Sequence, residues 1–127
     1  MREFMLLVRN QQDHQTGWSA ERERQFVEQC MAYIGDRKKQ GELISAQPLS
    51  KEGKVFAGSK GTWRIELYNE SNEVILGYYH VLAENIDDAI AIAQRNPELE
   101  YSTTARIEVR PVKTKEESAQ HVYPKKK

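Results

Sequence analysis

Arg106, Glu108 and Arg110 alternate with Ile107 and Val109, so an extended strand sets the three charged residues on one face. If that face looks into a cleft, burial forces Glu108 to find a cationic partner. The two guanidinium groups then become natural grips for a carboxylate or phosphate. The competing reading is internal ion pairing, and both readings put Glu108 beside an arginine. His80 is the second candidate. It lies in an apolar, aromatic run two residues from Tyr78, and so on the face of that tyrosine. A histidine there can serve as general acid or base near neutrality, or be a hydrogen-bonded core or interface group. Tyr78 or Tyr79 would line the same cleft and complete a ligand-binding set of Tyr78, Tyr79, Arg106, Glu108 and Arg110.

Other chemistries find little support. His14 falls in a polar loop and His121 near the end of the chain. No ligand spacing links the three histidines with one another or with Cys30, so no metal site is expected and no cofactor is called for. Residues 53–60, GKVFAGSK, resemble a phosphate loop but carry Gly-Ser-Lys where Gly-Lys-Ser/Thr is required, and they read as a hairpin turn. There is no G-x-S-x-G elbow. Lys plus Arg (19) equals Asp plus Glu (19), so no net field draws the chain to nucleic acid or to an acidic membrane. Trp63 and the tyrosines lack the signature of base-stacking RNA-binding sheets. Cys30 cannot form an internal disulfide, which fits a cytoplasmic location. The run FMLLV is too short for a membrane span or a signal peptide, so the mature chain is expected to start near Met1.

A sheet must hold these residues. Residues 75–97, ILGYYHVLAENIDDAIAIAQRNP, read without a gap as strand, capped helix and stop. The strand is 75–83. Asn85 can cap the following helix, Asp87 and Asp88 suit the positive end of its dipole, and Asn96 before Pro97 ends it. Ile86, Ala89, Ile90 and Ala93 would face the sheet. Upstream, residues 3–8 form a strand covered on both sides, with Phe4, Leu6 and Val8 on one face and Met5 and Leu7 on the other. Residues 10–17 are a loop, and Ser19 caps a long helix to about Gln40. Its apolar stripe is Phe26, Val27, Cys30, Met31 and Ile34, and Gly41 closes it. Residues 42–49 return as an edge strand because Pro48 cannot donate to a ladder. Residues 55–57 and 62–68 follow as short strands around a turn at 58–61, with Trp63, Ile65 and Leu67 on one face. Residues 69–72 turn, 97–104 form a loop, and 105–112 are the last strand. Residues 113–127 lack periodicity and read as a loosely ordered tail.

The order β, α, several β, α, β suits one α+β domain over residues 1–112: a ferredoxin-like sandwich with an antiparallel sheet and both helices on one face. The other face then carries apolar and aromatic residues, among them Met5, Leu7 and Tyr78 or Tyr79. A patch of that size is unusual on a monomer. Face-to-face pairing of two copies, a homodimer, is the expected cover.

At this level the chain resembles the YCII-related proteins, including the branch with a DGPF domain, over residues 3–112. The resemblance rests on the order and spacing of several segments. These are the opening FMLLV, the W-S-x-E start at 18–21, GELISAQPL at 41–49, GYYHV at 77–81, IDDAI at 86–90 and IEVRP at 107–111. It implies a dimeric α+β barrel in which two ferredoxin-like sheets enclose a cleft. It implies little about activity, since the family is largely without assigned function. Catalysis has been suggested for some members, and others occur beside regulators of transcription. The tetrapeptide Asp-Gly-Pro-Phe is absent; YNESN at 68–72 or its neighbours stand there instead. The expected function is binding of a small anionic organic molecule between sheets, with cofactor-free proton transfer by His80. The alternative is a non-catalytic regulatory or interaction protein using the same dimer surface.

Overall fold

The computed structural model describes residues 1–67 and 73–124. Strand β1 (Arg2–Gln11) leads through a loop into helix α1 (Ala20–Lys39), and β2 (Leu43–Pro48) returns along the sheet edge. A hairpin, β3 (Lys54–Ser59) and β4 (Thr62–Leu67), precedes β5 (Glu73–Ala83). Helices α2 (Ile86–Gln94) and α3 (Pro97–Tyr101) and strand β6 (Arg106–Pro111) follow, then a short ribbon of β7 (Lys115–Glu116) and β8 (His121–Val122). The four-stranded antiparallel sheet runs β2-β5-β1-β6, the ferredoxin-like order with β3 and β4 inserted as a separate two-stranded sheet. An α+β fold with the helices on one sheet face is therefore correct. The inserted hairpin lies outside that sheet, so four of the six strand segments read from the sequence make the main sheet.

Alternation along β1 decides the layering. Phe4, Leu6, Val8 and Asn10 are buried beneath the helices, while Met5 and Leu7 point to the opposite, open face and are half-buried. The core joins Phe4, Leu6, Val81 and Ala83 of the sheet to Tyr33 of α1 and to Ala89, Ile92 and Ala93 of α2. Local signals set the helix ends. Ser19 Oγ accepts from Arg22 N at 3.1 Å, Asn85 Oδ1 accepts from Asp88 N at 2.9 Å, and Gly41 takes φ +71° just past α1. Gly77 lets β2 approach β5, because a Cβ there would lie 2.8 Å from Gln47 O.

Four expectations change. The buried stripe of α1 runs through Phe26, Tyr33 and Arg37, with Cys30 and Ile34 partly covered, whereas Val27 and Met31 are 53% and 67% exposed. The helix is rotated because Tyr33 and Arg37 both find partners inside. The Tyr33 hydroxyl donates to Ile92 O at 2.6 Å, and Arg37 Nη1 stands 3.0 Å from Glu42 Oε1, off hydrogen-bond alignment. On α2, Ala89, Ile92 and Ala93 are buried, and Ile86 and Ile90 instead rim an apolar groove with Leu99, Ile107 and Val109. Pro97 begins α3 instead of a loop: its missing N–H costs nothing at a first helical position, and Asn96 caps the turn. Within the tail, residues 115–122 close a hairpin around a 3-10 turn at Glu117–Ala119. Residues 68–72, where the family tetrapeptide would fall, lie outside the described residues.

Candidate functional site

The open sheet face collects most of the candidate residues. Register pairs Met5 with His80 on one side and Arg110 on the other; the next row is Tyr78, Leu7 and Glu108, and the next Ile75, Arg9 and Arg106. His80 and Arg110 are thus two strand spacings apart, about 10 Å. The centre of the face is apolar, with Met5, Leu7, Tyr78 and Leu82, and charge borders it.

His80 Nε2 lies 2.8 Å from Glu3 Oε1, and the histidine side chain is 21% exposed. A carboxylate in that position fixes the ring's orientation and tautomer.

At the β6 side five charged groups meet. Arg9 clamps both carboxylates: its Nη1 donates to Glu108 Oε1 and its Nη2 lies against Glu73 Oε1, each at 2.9 Å. The second oxygen of each carboxylate faces another arginine more loosely. Arg106 Nη1 is 3.5 Å from Glu73 Oε2, and Arg110 Nε is 3.8 Å from Glu108 Oε2. Arg106 and Arg110 are 70% and 68% exposed. Exposed contacts of this length are worth about 0–1 kcal/mol each, so either guanidinium can turn to an incoming anion at little cost. Internal pairing thus holds Glu108 through Arg9 while leaving the two flanking arginines loosely engaged.

Tyr79 does not join this face. Alternation sends it under the helices, where its ring packs edge-on against Tyr33 at 5.4 Å and burial raises its phenol pKa. Its neighbour Tyr78 is the tyrosine of the open face. Arg9, Glu73 and Glu3 are the residues that strand reading missed. Strict alternation from His80 would send Ile75 and Glu73 to the helix side. A bulge opposite Val8 and Arg9 inserts Leu76 and reverses the parity, which brings Glu73 to Arg9. Arg9 itself falls beyond the apolar run that marks β1.

A second polar cluster is buried at the far end of β1. Asn10, fully buried, donates through Nδ2 to Glu98 Oε1 at 3.3 Å and Ser102 Oγ at 3.1 Å. Its Oδ1 accepts from Gln11 N and from the Thr104 hydroxyl, each at 2.7 Å. His14 is no solvated loop residue: its side chain is 5% exposed, with Nε2 3.5 Å from Glu98 Oε1. Trp18, Phe26 and Tyr101 roof the cluster with tilted and edge-on ring contacts at 5.2–5.8 Å. Nearby, burial first and Glu98 second push the Cys30 thiol up to about 11, so Cys30 is an inert small hydrophobe. The parity of Phe4, Leu6 and Val8, carried one step further, is the signal that marks Asn10 as buried.

Among the described residues no group of three or more His, Cys, Asp or Glu side chains converges as a metal site. No helix among them is long and apolar enough to cross a membrane. No curated protein matches the chain. The YCII-related domain matches residues 2–113, which takes in every strand of the four-stranded sheet and all three α-helices. The chain belongs to the YCII-related domain family.

Proposed function

We propose that two copies of the chain pair through their open sheet faces and bind a small anionic organic molecule in the cleft between them. Arg106 and Arg110 grip its carboxylate or phosphate, Tyr78 covers its apolar part, and His80, oriented by Glu3, moves a proton. The observation that carries this reading is the presence on one face of two loosely held arginines and a carboxylate-fixed histidine, with Arg110 about 10 Å from His80 across the sheet. That distance suits a metabolite with an acidic end and a reacting carbon several bonds from it. The lone thiol of Cys30 fits a reducing, cytoplasmic setting.

A thermal-shift screen of carboxylates and phosphates tests the binding. A ligand at a hundred times its Kd adds about 2.7 kcal/mol, or several degrees in Tm. The shift should vanish in the Arg106→Ala/Arg110→Ala double variant; an unchanged shift there removes both residues from the site. For any turnover found, His80→Asn should abolish it with the dimer intact, and full activity in that variant ends the proton-transfer assignment.

The self-neutralising part of the network, Arg9 between Glu73 and Glu108, favours a second reading: a non-catalytic regulatory or interaction protein that uses the same surface. Binding that depends on Arg106 and Arg110 but gives no product with any ligand of the screen would select it.

A further inference from the structure

We propose that the β3–β4 hairpin is a dimerisation arm whose apolar face packs on the open sheet face of a second copy of this chain. The inference rests on the dimer reading above and names the element that closes the dimer.

The hairpin is amphipathic by register. Phe56 opposes Ile65, and Trp63 and Leu67 stand on the same face, whereas Glu66, Arg64 and Thr62 share the other with Val55, Ala57 and Ser59. The turn is built to be tight: Gly58 takes φ +124° and a Cβ there would lie 2.1 Å from Thr62 O. The four large residues of the apolar face are 56–64% exposed, although Phe56 and Trp63 stack on each other at 4.8 Å. Among the described residues the strands pair only with each other, and a lone two-stranded hairpin is marginal in water. One apolar face and one polar face describe a ribbon that is covered on a single side.

Area and reach favour a second copy as that cover. The chain exposes 9303 Å², while a compact monomer of 14.7 kDa exposes about 6,900 Å². The excess, about 2,400 Å², is the size that obligate homodimers bury per subunit. The open face of the sheet offers a matching apolar centre in Met5, Leu7, Tyr78 and Leu82, also half-uncovered. Six-residue strands reach about 20 Å, and four strands lie within about 15 Å, so one arm is long enough to lie over the partner's Leu7 and wall one side of the cleft.

Two measurements on the full chain test this. Hydrogen exchange of the wild type should show the amides of residues 54–67 protected in concentrated solution and unprotected on dilution below the dimer dissociation constant. Sedimentation equilibrium should find the dimer dissociation constant of Phe56→Ser/Ile65→Ser raised about 100-fold or more, as loss of two buried apolar side chains requires. Leu7→Glu should expose the same hairpin amides, since it places a charge where the arm would rest. A wild-type dimer with rapidly exchanging hairpin amides, or one unaffected by the double substitution, overturns the arm and leaves the dimer standing. Hairpin protection that survives Leu7→Glu overturns the open face as its seat. A wild-type monomer ends both readings.

Discussion

The two polar clusters of this molecule share one strand and differ in almost every physical respect. Arg9 belongs to the network on the open face, and Asn10, its neighbour in sequence, belongs to the buried cluster under Trp18 and Tyr101. The first is made of long charged side chains in contacts of 2.9–3.8 Å, with Arg106 and Arg110 mostly in solvent. The second sets the short side chains of Asn10, Ser102 and Thr104 around Glu98, with Asn10 fully buried. A network at the surface is held weakly and can exchange partners, which a binding site requires. A buried one resists change because any partner left alone keeps its full desolvation penalty. Position on the strand therefore separates the proposed site from scaffold better than residue type does.

The contrast is broken most sharply at Asn10. Asn10→Ala removes one partner from Glu98, Ser102, Thr104 and the Gln11 N–H together and should cost about 2–3 kcal/mol in urea unfolding. A cost near zero would mean that the cluster is wet and the distinction from the open face is false.

Next in size is the alkaline response of the interior. Burial pushes the Cys30 thiol up to about 11 and the Tyr33 phenol up to about 12, from ordinary values of 9.0 and 10.0. Both groups are neutral when protonated, and the folded chain holds those protons more tightly than the unfolded chain does. Their contribution is thus complete below about pH 9 and is lost as pH rises through 11 and 12, on the order of 1 kcal/mol per group. Tm measured against pH should fall across that window, and Tyr33→Phe should flatten the part between pH 10 and 12. Since that variant also forfeits the bond to Ile92 O, its Tm at neutral pH should be lower by a few degrees.

The smallest effect belongs to the open face. Without ligand, Arg106→Ala should change stability by no more than about 0.5 kcal/mol, because its contact to Glu73 is long and exposed. A loss above about 2 kcal/mol in the same unfolding assay would make Arg106 scaffold and shift the anion site elsewhere.

Much of this arrangement is legible in the residues themselves. Period-two alternation assigns Phe4, Leu6 and Val8 to the core and Arg106, Glu108 and Arg110 to one opposite face, and Ser19 and Asn85 announce their helices. Legibility fails where a tertiary contact overrules a local pattern. Val27 and Met31 are apolar at helical spacing, yet α1 turns Tyr33 and Arg37 inward because each meets a partner there. The bulge at Leu76 reverses strand parity, and Gly77 beside it marks a close backbone approach to β2 as readily as a bulge, so the meeting of Glu73 with Arg9 is not legible from spacing. His14 looks solvated among polar neighbours, and only the return of α3 brings Glu98 to it.

The central claim is that the open face is sheltered by a second copy of the chain. Sedimentation equilibrium at micromolar concentration tests it most directly. Twice the chain mass of 14.7 kDa is expected, falling to a single chain mass in Leu7→Glu; a wild-type chain that sediments at 14.7 kDa contradicts it.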